Sequence, residues 1–200
     1  MAATGSDMPV GEIFARITDS GNSTVGGGAA SALAGAMASG LVGMVSLLSR
    51  GKGLGLDDAA YESFSGELGD IASKLEDGAF ADEAAYLGIK AALALPKATD
   101  KEKSKRRSAL EAAATEAANT PLGNARLAAR VLEIASELEG RYNAAAASDM
   151  ECGKMLARSA VVGCALNVDA NLPMIKNEES ARFFRSESEK LKRLAEHLIS

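Results

Sequence analysis

The chain has 200 residues with 27 acidic against 22 basic side chains, and its net charge of −5 argues against a general nucleic-acid binder. Tryptophan is absent and aromatic residues make up only 4%, so the core must be built from Ala, Leu, Val, Met and Ile in closely packed helices. The length fits a single domain over residues 1–200, or at most two small ones. Cys152 and Cys164 cannot bridge each other along one helix, which makes a reducing cytoplasm the simplest setting. Met1 to Pro9 carries no basic region followed by an apolar run, so no signal peptide is expected.

In chain order, Glu12 to Thr18 reads as a short amphipathic helix with Ile13, Phe14 and Ile17 on one side. Gly21-Asn22-Ser23-Thr24-Val25-Gly26-Gly27-Gly28 follows, with Ser23 or Thr24 as the cap of a helix of small residues reaching about Ser49. Val25 to Ser49 is uncharged and long enough to span a membrane. Ala, Gly and Ser dominate it and no aromatic belt flanks it, so a buried central helix is expected and no membrane. Arg50 to Gly55 breaks that helix, and Asp57 starts the next, running to Leu95 before Pro96 with at most one interruption near Gly78. Thr99 and Glu102 form a capping box, Thr120-Pro121 reads as a further start, and Ser148 to Glu151 as another capping box. Asn177 caps the last helix, whose stripe is Phe184, Leu191, Leu194 and Leu198. No segment alternates at period two, so the fold class is all-α: a multihelical, antiparallel, bundle-like array around the small-residue helix.

Few residues offer chemistry. His197 stands on a polar stretch, and the two cysteines lack paired ligands and read as small core residues. The three glycines suit either a loop that lets backbone N–H groups approach an electron-rich ligand or a close-packing surface. Asp82 and Glu83 are adjacent among small apolar residues. Spacing alone favours two exposed acids; an inward Asp82 would gain proton affinity and act near neutrality. Asn167 and Asn171 share a helix face as interhelical links or ligand contacts. The run Lys101 to Arg107 is a solvated face, or presents one or two cations to an anionic tail.

Taken together these pieces resemble the formiminotransferase-cyclodeaminase C-terminal family, which includes free-standing methenyltetrahydrofolate cyclohydrolases. Its Thr-Pro-Gly-Gly-Gly loop stands here as Thr24-Val25-Gly26-Gly27-Gly28, and its aspartate four residues before an aromatic as Asp82 and Tyr86. Leu95-Pro96-Lys97, then Thr99, Glu102, Lys103 and Arg106, then Ala117, Pro121 and Leu122 continue the pattern. Asn143 with Ser148-Asp149, and Leu166-Asn167-Val168 with Asn171, complete it over Gly11 to Leu172. Val25 replaces the loop proline, and Ala145 stands where a second asparagine is usual.

The resemblance implies an all-α homodimer that binds a tetrahydrofolate derivative in a cleft partly at the subunit interface, without metal or organic cofactor. The expected reaction closes a ring on 5-formimidoyltetrahydrofolate with loss of ammonia. The alternatives are hydrolysis of 5,10-methenyltetrahydrofolate, or folate binding without turnover. It implies Asp82 and Lys52 as catalytic groups. Substrate contacts would come from Thr24, Gly26, Gly27, Gly28, Lys97, Arg106, Asn143, Ser148, Asp149, Asn167 and Asn171.

Overall fold

A computed structural model describes residues 8–21 and 24–198, all of its regular structure helical. The helices are α1 Val10–Thr18, α2 Gly27–Leu48, α3 Asp58–Leu93, α4 Asp100–Glu137, α5 Ala147–Asn171 and α6 Glu178–His197, with 3₁₀ turns at Ala144–Ala146 and Leu172–Met174. Contacts between helices give the register. Ser46 Oγ donates to Tyr61 O (2.9 Å) and Ser39 Oγ to Leu68 O (2.7 Å), so α3 runs antiparallel to α2. Gly35 faces Ala160 and Gly153 faces Val42, which makes α5 antiparallel to α2 as well. Arg130 pairs with Glu67, and Asn124 reaches Gly78, so α4 returns antiparallel to α3.

The small residues of α2 are what permit this arrangement. A Cβ on Gly35 would sit 3.1 Å from Leu75 Cδ1 and 3.2 Å from Ala160 Cβ, so α2 is gripped from two sides where it has least bulk. Ala29, Ala32, Ala38, Val42 and Val45 are buried with it, in an apolar cluster continuous from Val25 to Ala195. By length and composition α2 could cross a membrane, yet half of its most apolar window is buried inside the protein. What stays outside is a stripe of larger residues, with Met37, Met44, Leu47 and Leu48 exposed.

Several local expectations need correction. Thr24 does not cap α2: the N-cap is Gly26, with no side-chain bond, and the Thr24 hydroxyl is turned to α3 instead. Ser23, the other candidate, lies outside the described residues. Thr120-Pro121 starts no helix, because α4 passes through it unbroken, and α3 passes Gly78 in the same way. Ser148 is inside α5, whose N-cap is Ala146 without a side-chain bond. Phe14 is exposed rather than buried, and of the cysteines only Cys164 is a core residue. Asp57, Thr99 and Asn177 do cap their helices, Thr99 within a complete capping box.

Candidate active site

The start of α2 opens onto a cavity of about 160 Å³ lined by Thr24, Gly26, Gly27, Gly28, Asp82, Tyr86, Ala117, Asn167, Ala170 and Asn171. The first N–H groups of α2 have no intrahelical acceptor and no side-chain cap, so the positive end of the helix is left to the cavity. Asp82 reaches in from α3. Its carboxylate packs on the Gly28 backbone, where a Cβ would lie 2.7 Å from Asp82 Cγ. Gly28 is therefore buried beneath Asp82 rather than open to a ligand, whereas Gly26 and Gly27 remain exposed.

Burial lifts the proton affinity of Asp82 above that of an ordinary carboxylate, because desolvation disfavours the charged form. Cys164 of α5 is fully buried nearby. Desolvation first, and the negative field of Asp82 second, push its thiol up to about 12. That thiol is a neutral core group behind the site, not a nucleophile.

Asn167 and Asn171 are oriented by backbone carbonyls. Asn167 Nδ2 donates to Gly163 O at 2.8 Å, and Asn171 Nδ2 to Ala117 O at 2.7 Å and Asn167 O at 3.0 Å. The Ala117 bond follows from Pro121. A helical residue 121 would normally donate its N–H to the carbonyl four residues back, and proline has none. Asn171 takes that place, so Pro121 is tolerated inside α4 and α5 is tied to it.

One turn further along α3 and α4 lies a second cavity, of about 400 Å³. Ile89, Leu93, Leu110 and Ala114 give it an apolar wall, while Lys97, Lys103, Arg106, Arg107 and Lys176 surround it with positive charge. Its one acid, Glu111, is engaged by the N–H groups of Lys176 and Asn177, which hold its pKa below the usual value. Arg106 Nη2 donates to Leu93 O at 3.0 Å, and its Nε is buried without a partner, a donor available to an anionic guest. The first cavity is small beside an ordinary ligand cleft of roughly 300–1,000 Å³. The two cavities share no lining residue, and the apolar cluster of Ala85, Ile89 and Ala117 stands between the polar one and the cationic one.

A sequence model of the formiminotransferase-cyclodeaminase family matches residues 11–190. The chain belongs to that family. It is 32% identical over 155 residues to a methenyltetrahydrofolate cyclohydrolase from Methylorubrum extorquens, covering 74% of this chain and 72% of the relative. Its fold is that of the formiminotetrahydrofolate cyclodeaminase from Thermotoga maritima, with a TM-score of 0.84 at 24% identity over 96% of this chain and 92% of the other.

Not all of the family-matching residues meet. Thr24, Gly26, Gly27, Gly28, Asp82, Asn167 and Asn171 share the first cavity, and Lys97 and Arg106 the second. Lys52, Asn143, Ser148 and Asp149 lie at the other end of α2, about 33 Å away for its 22 residues. There Asn143 closes the C-terminal end of α2, its N–H donating to Ser49 Oγ and its Nδ2 to Leu48 O. Within one chain, Lys52 is not beside Asp82. Sequence reasoning also missed groups that the structure brings in. Lys176 joins the cationic cavity, beside Lys103 and Arg107 of the run already read as able to present cations. Glu83, read as a surface acid, is only 17% exposed. Its adjacency to Asp82 was visible; the helix that covers it was not.

Proposed function

We propose that the protein hydrolyses 5,10-methenyltetrahydrofolate to 10-formyltetrahydrofolate. Asp82 carries this reading: a partly buried carboxyl group of raised proton affinity, set at the positive end of a helix in a glycine-lined cavity. The methenyl carbon bridges N5 and N10 as a cationic amidinium. Water adds to that carbon while Asp82 accepts one of its protons. The C–N5 bond then breaks as Asp82 returns the proton to N5, and the remaining hydroxyl proton leaves to solvent as the formyl group forms. One proton is released per turnover. A carboxylate suits both the cation and the proton transfer. Lys97 and Arg106, in the second cavity, are the groups we assign to the glutamate carboxylates, with Gly26, Gly27 and Asn167 around the pterin.

The relative at 32% identity, named for this hydrolysis, favours it over ring closure on 5-formimidoyltetrahydrofolate. The second reading keeps a specific support: a carboxyl group that holds its proton towards neutrality is the acid that ammonia departure needs. We include in the proposal a cytoplasmic homodimer without resident cofactor, in which the partner's end bearing Lys52, Asn143, Ser148 and Asp149 completes the cleft.

The methenyl chromophore tests it directly. Decay of 5,10-methenyltetrahydrofolate well above the uncatalysed rate is the expected result. Its appearance from 5-formimidoyltetrahydrofolate with ammonia release, and no accelerated decay, would establish the second reading. Folate binding with neither change would leave a helical binding protein.

A further inference from the structure

The acid next to Asp82 holds the parts of the site together. Glu83 projects about 100° away from Asp82 around α3, and all of its recorded contacts run to the N-terminal part of the chain. Arg16 of α1 places Nη2 at 2.7 Å from both carboxylate oxygens. Thr24 Oγ1 donates to Glu83 Oε1, also at 2.7 Å. Thr24 is itself buried, two residues before the N-cap of α2. One carboxylate therefore joins α1, the approach to the glycine loop and α3, immediately beside Asp82.

Apart from the packing of Val25 and Ile17 on the apolar core, little else fixes these pieces. α1 buries none of its residues, and beneath it lies a cavity of about 390 Å³ between Ile13, Phe14, Ile17 and Leu33, Met37, Phe80. No side chain caps the start of α2. An unpaired Glu83 would also set a second negative charge beside Asp82, whereas Arg16 compensates it. A partly buried ion pair that also accepts from a buried hydroxyl is the kind of contact that fixes geometry more than it adds stability.

We propose that Glu83 is a positioning residue: through Thr24 it sets the Gly26–Gly28 backbone against Asp82, and through Arg16 it clamps α1 over the same corner. It touches no reacting atom. This rests on the folate reading for its kinetic consequences, and stands apart from it in its geometry.

The test compares Glu83→Ala, Glu83→Gln, Thr24→Val and the Glu83→Ala/Thr24→Val double variant with the wild type. Amide hydrogen exchange is read without substrate, and KM and kcat with 5,10-methenyltetrahydrofolate. In Glu83→Ala, exchange over residues 10–18 and 24–30 should quicken about tenfold while α4 to α6 stay unchanged. KM should rise about tenfold, the scale of one lost charged hydrogen bond. Glu83→Gln retains an acceptor for Thr24 and should restore KM while leaving α1 loose. Thr24→Val should loosen 24–30 alone, and the double variant should be no worse than Glu83→Ala.

Unchanged exchange over 24–30 in Glu83→Ala would overturn the proposal. So would faster exchange with unchanged KM, which would make Glu83 a structural tie only, or single effects that multiply in the double variant. The exchange result decides the clamp even if the wild type turns over neither folate, an outcome that would sink the functional reading by itself.

Discussion

Asp82 and Gly28 form a pair, since the glycine exists to let the carboxylate lie on the helix backbone. Gly28→Ala should therefore reduce turnover about as far as loss of the acid itself, with the helical circular dichroism intact. Unchanged turnover in that variant would mean the carboxylate does not work from its position on Gly28. Asp82→Asn keeps the shape but removes the transferable proton, and turnover should fall by roughly 10²–10⁴ while folate binding persists. The pH profile distinguishes the two roles. As base in hydrolysis, Asp82 must be ionised, so kcat climbs as pH rises through its elevated pKa; as acid in ammonia loss, kcat falls over the same window. Stability carries the same shift with its own sign. The folded pKa of Asp82 lies above the unfolded one, so its contribution is most favourable below the unfolded value and is lost as pH rises through the folded value. Asp82→Asn should accordingly raise Tm near pH 7 relative to wild type, with the gap closing towards pH 4. A lower Tm near pH 7 would show that the ionised carboxylate supports the fold. Spacing placed both acids of the Asp82-Glu83 pair in solvent. The covering groups, Gly28 for one and Arg16 with Thr24 for the other, come from residues more than fifty positions away, which no local pattern reveals.

At the scale of helices, the start signals divide by what surrounds them. Thr99 with Glu102, Asp57 and Asn177 were legible because a cap needs only a side-chain oxygen and an N–H three residues on. Thr120-Pro121 has the same local chemistry, yet packing along α3 and α5 holds α4 straight through it, and Asn171 removes the cost of the missing N–H. The central helix was legible from the uncharged small-residue run. The part its glycines play inside the chain was not: Gly35 lets α3 and α5 approach, and Gly43 admits Leu68 of α3. The compensation at Pro121 can be measured. Asn171→Ala strands the Ala117 carbonyl and should cost about 1–3 kcal/mol in urea unfolding. Placed on Pro121→Ala, whose new N–H can reach the same carbonyl, the cost should shrink to well under half. Equal costs in the two backgrounds would show that Asn171 acts elsewhere.

Across the whole molecule, charge and apolar surface are both unevenly spread. A chain of net charge −5 gathers five cations around one cavity, where the tail of an anionic ligand would lie. The residues that match the family pattern divide between the two ends of α2, and an exposed stripe with Met37, Met44, Leu47 and Leu48 runs along its C-terminal half. In the proposed homodimer, pairing two such stripes antiparallel around a two-fold axis would cover the apolar surface and bring Lys52, Asn143, Ser148 and Asp149 of one copy towards Asp82 of the other. This explains how residues about 33 Å apart in one chain could fit one motif pattern. Light scattering should show a dimer at micromolar concentration, and Met44→Asp should shift it towards monomer. Complementation is the sharper measurement. Asp82→Asn and Lys52→Ala are each expected to be weakly active alone. Mixed and allowed to exchange subunits, they form heterodimers in which one of the two clefts carries both native residues. At random exchange, activity should recover to about a quarter of wild type. A mixture no more active than its parts would place Lys52 outside the site and leave Asp82 to work with groups of its own chain.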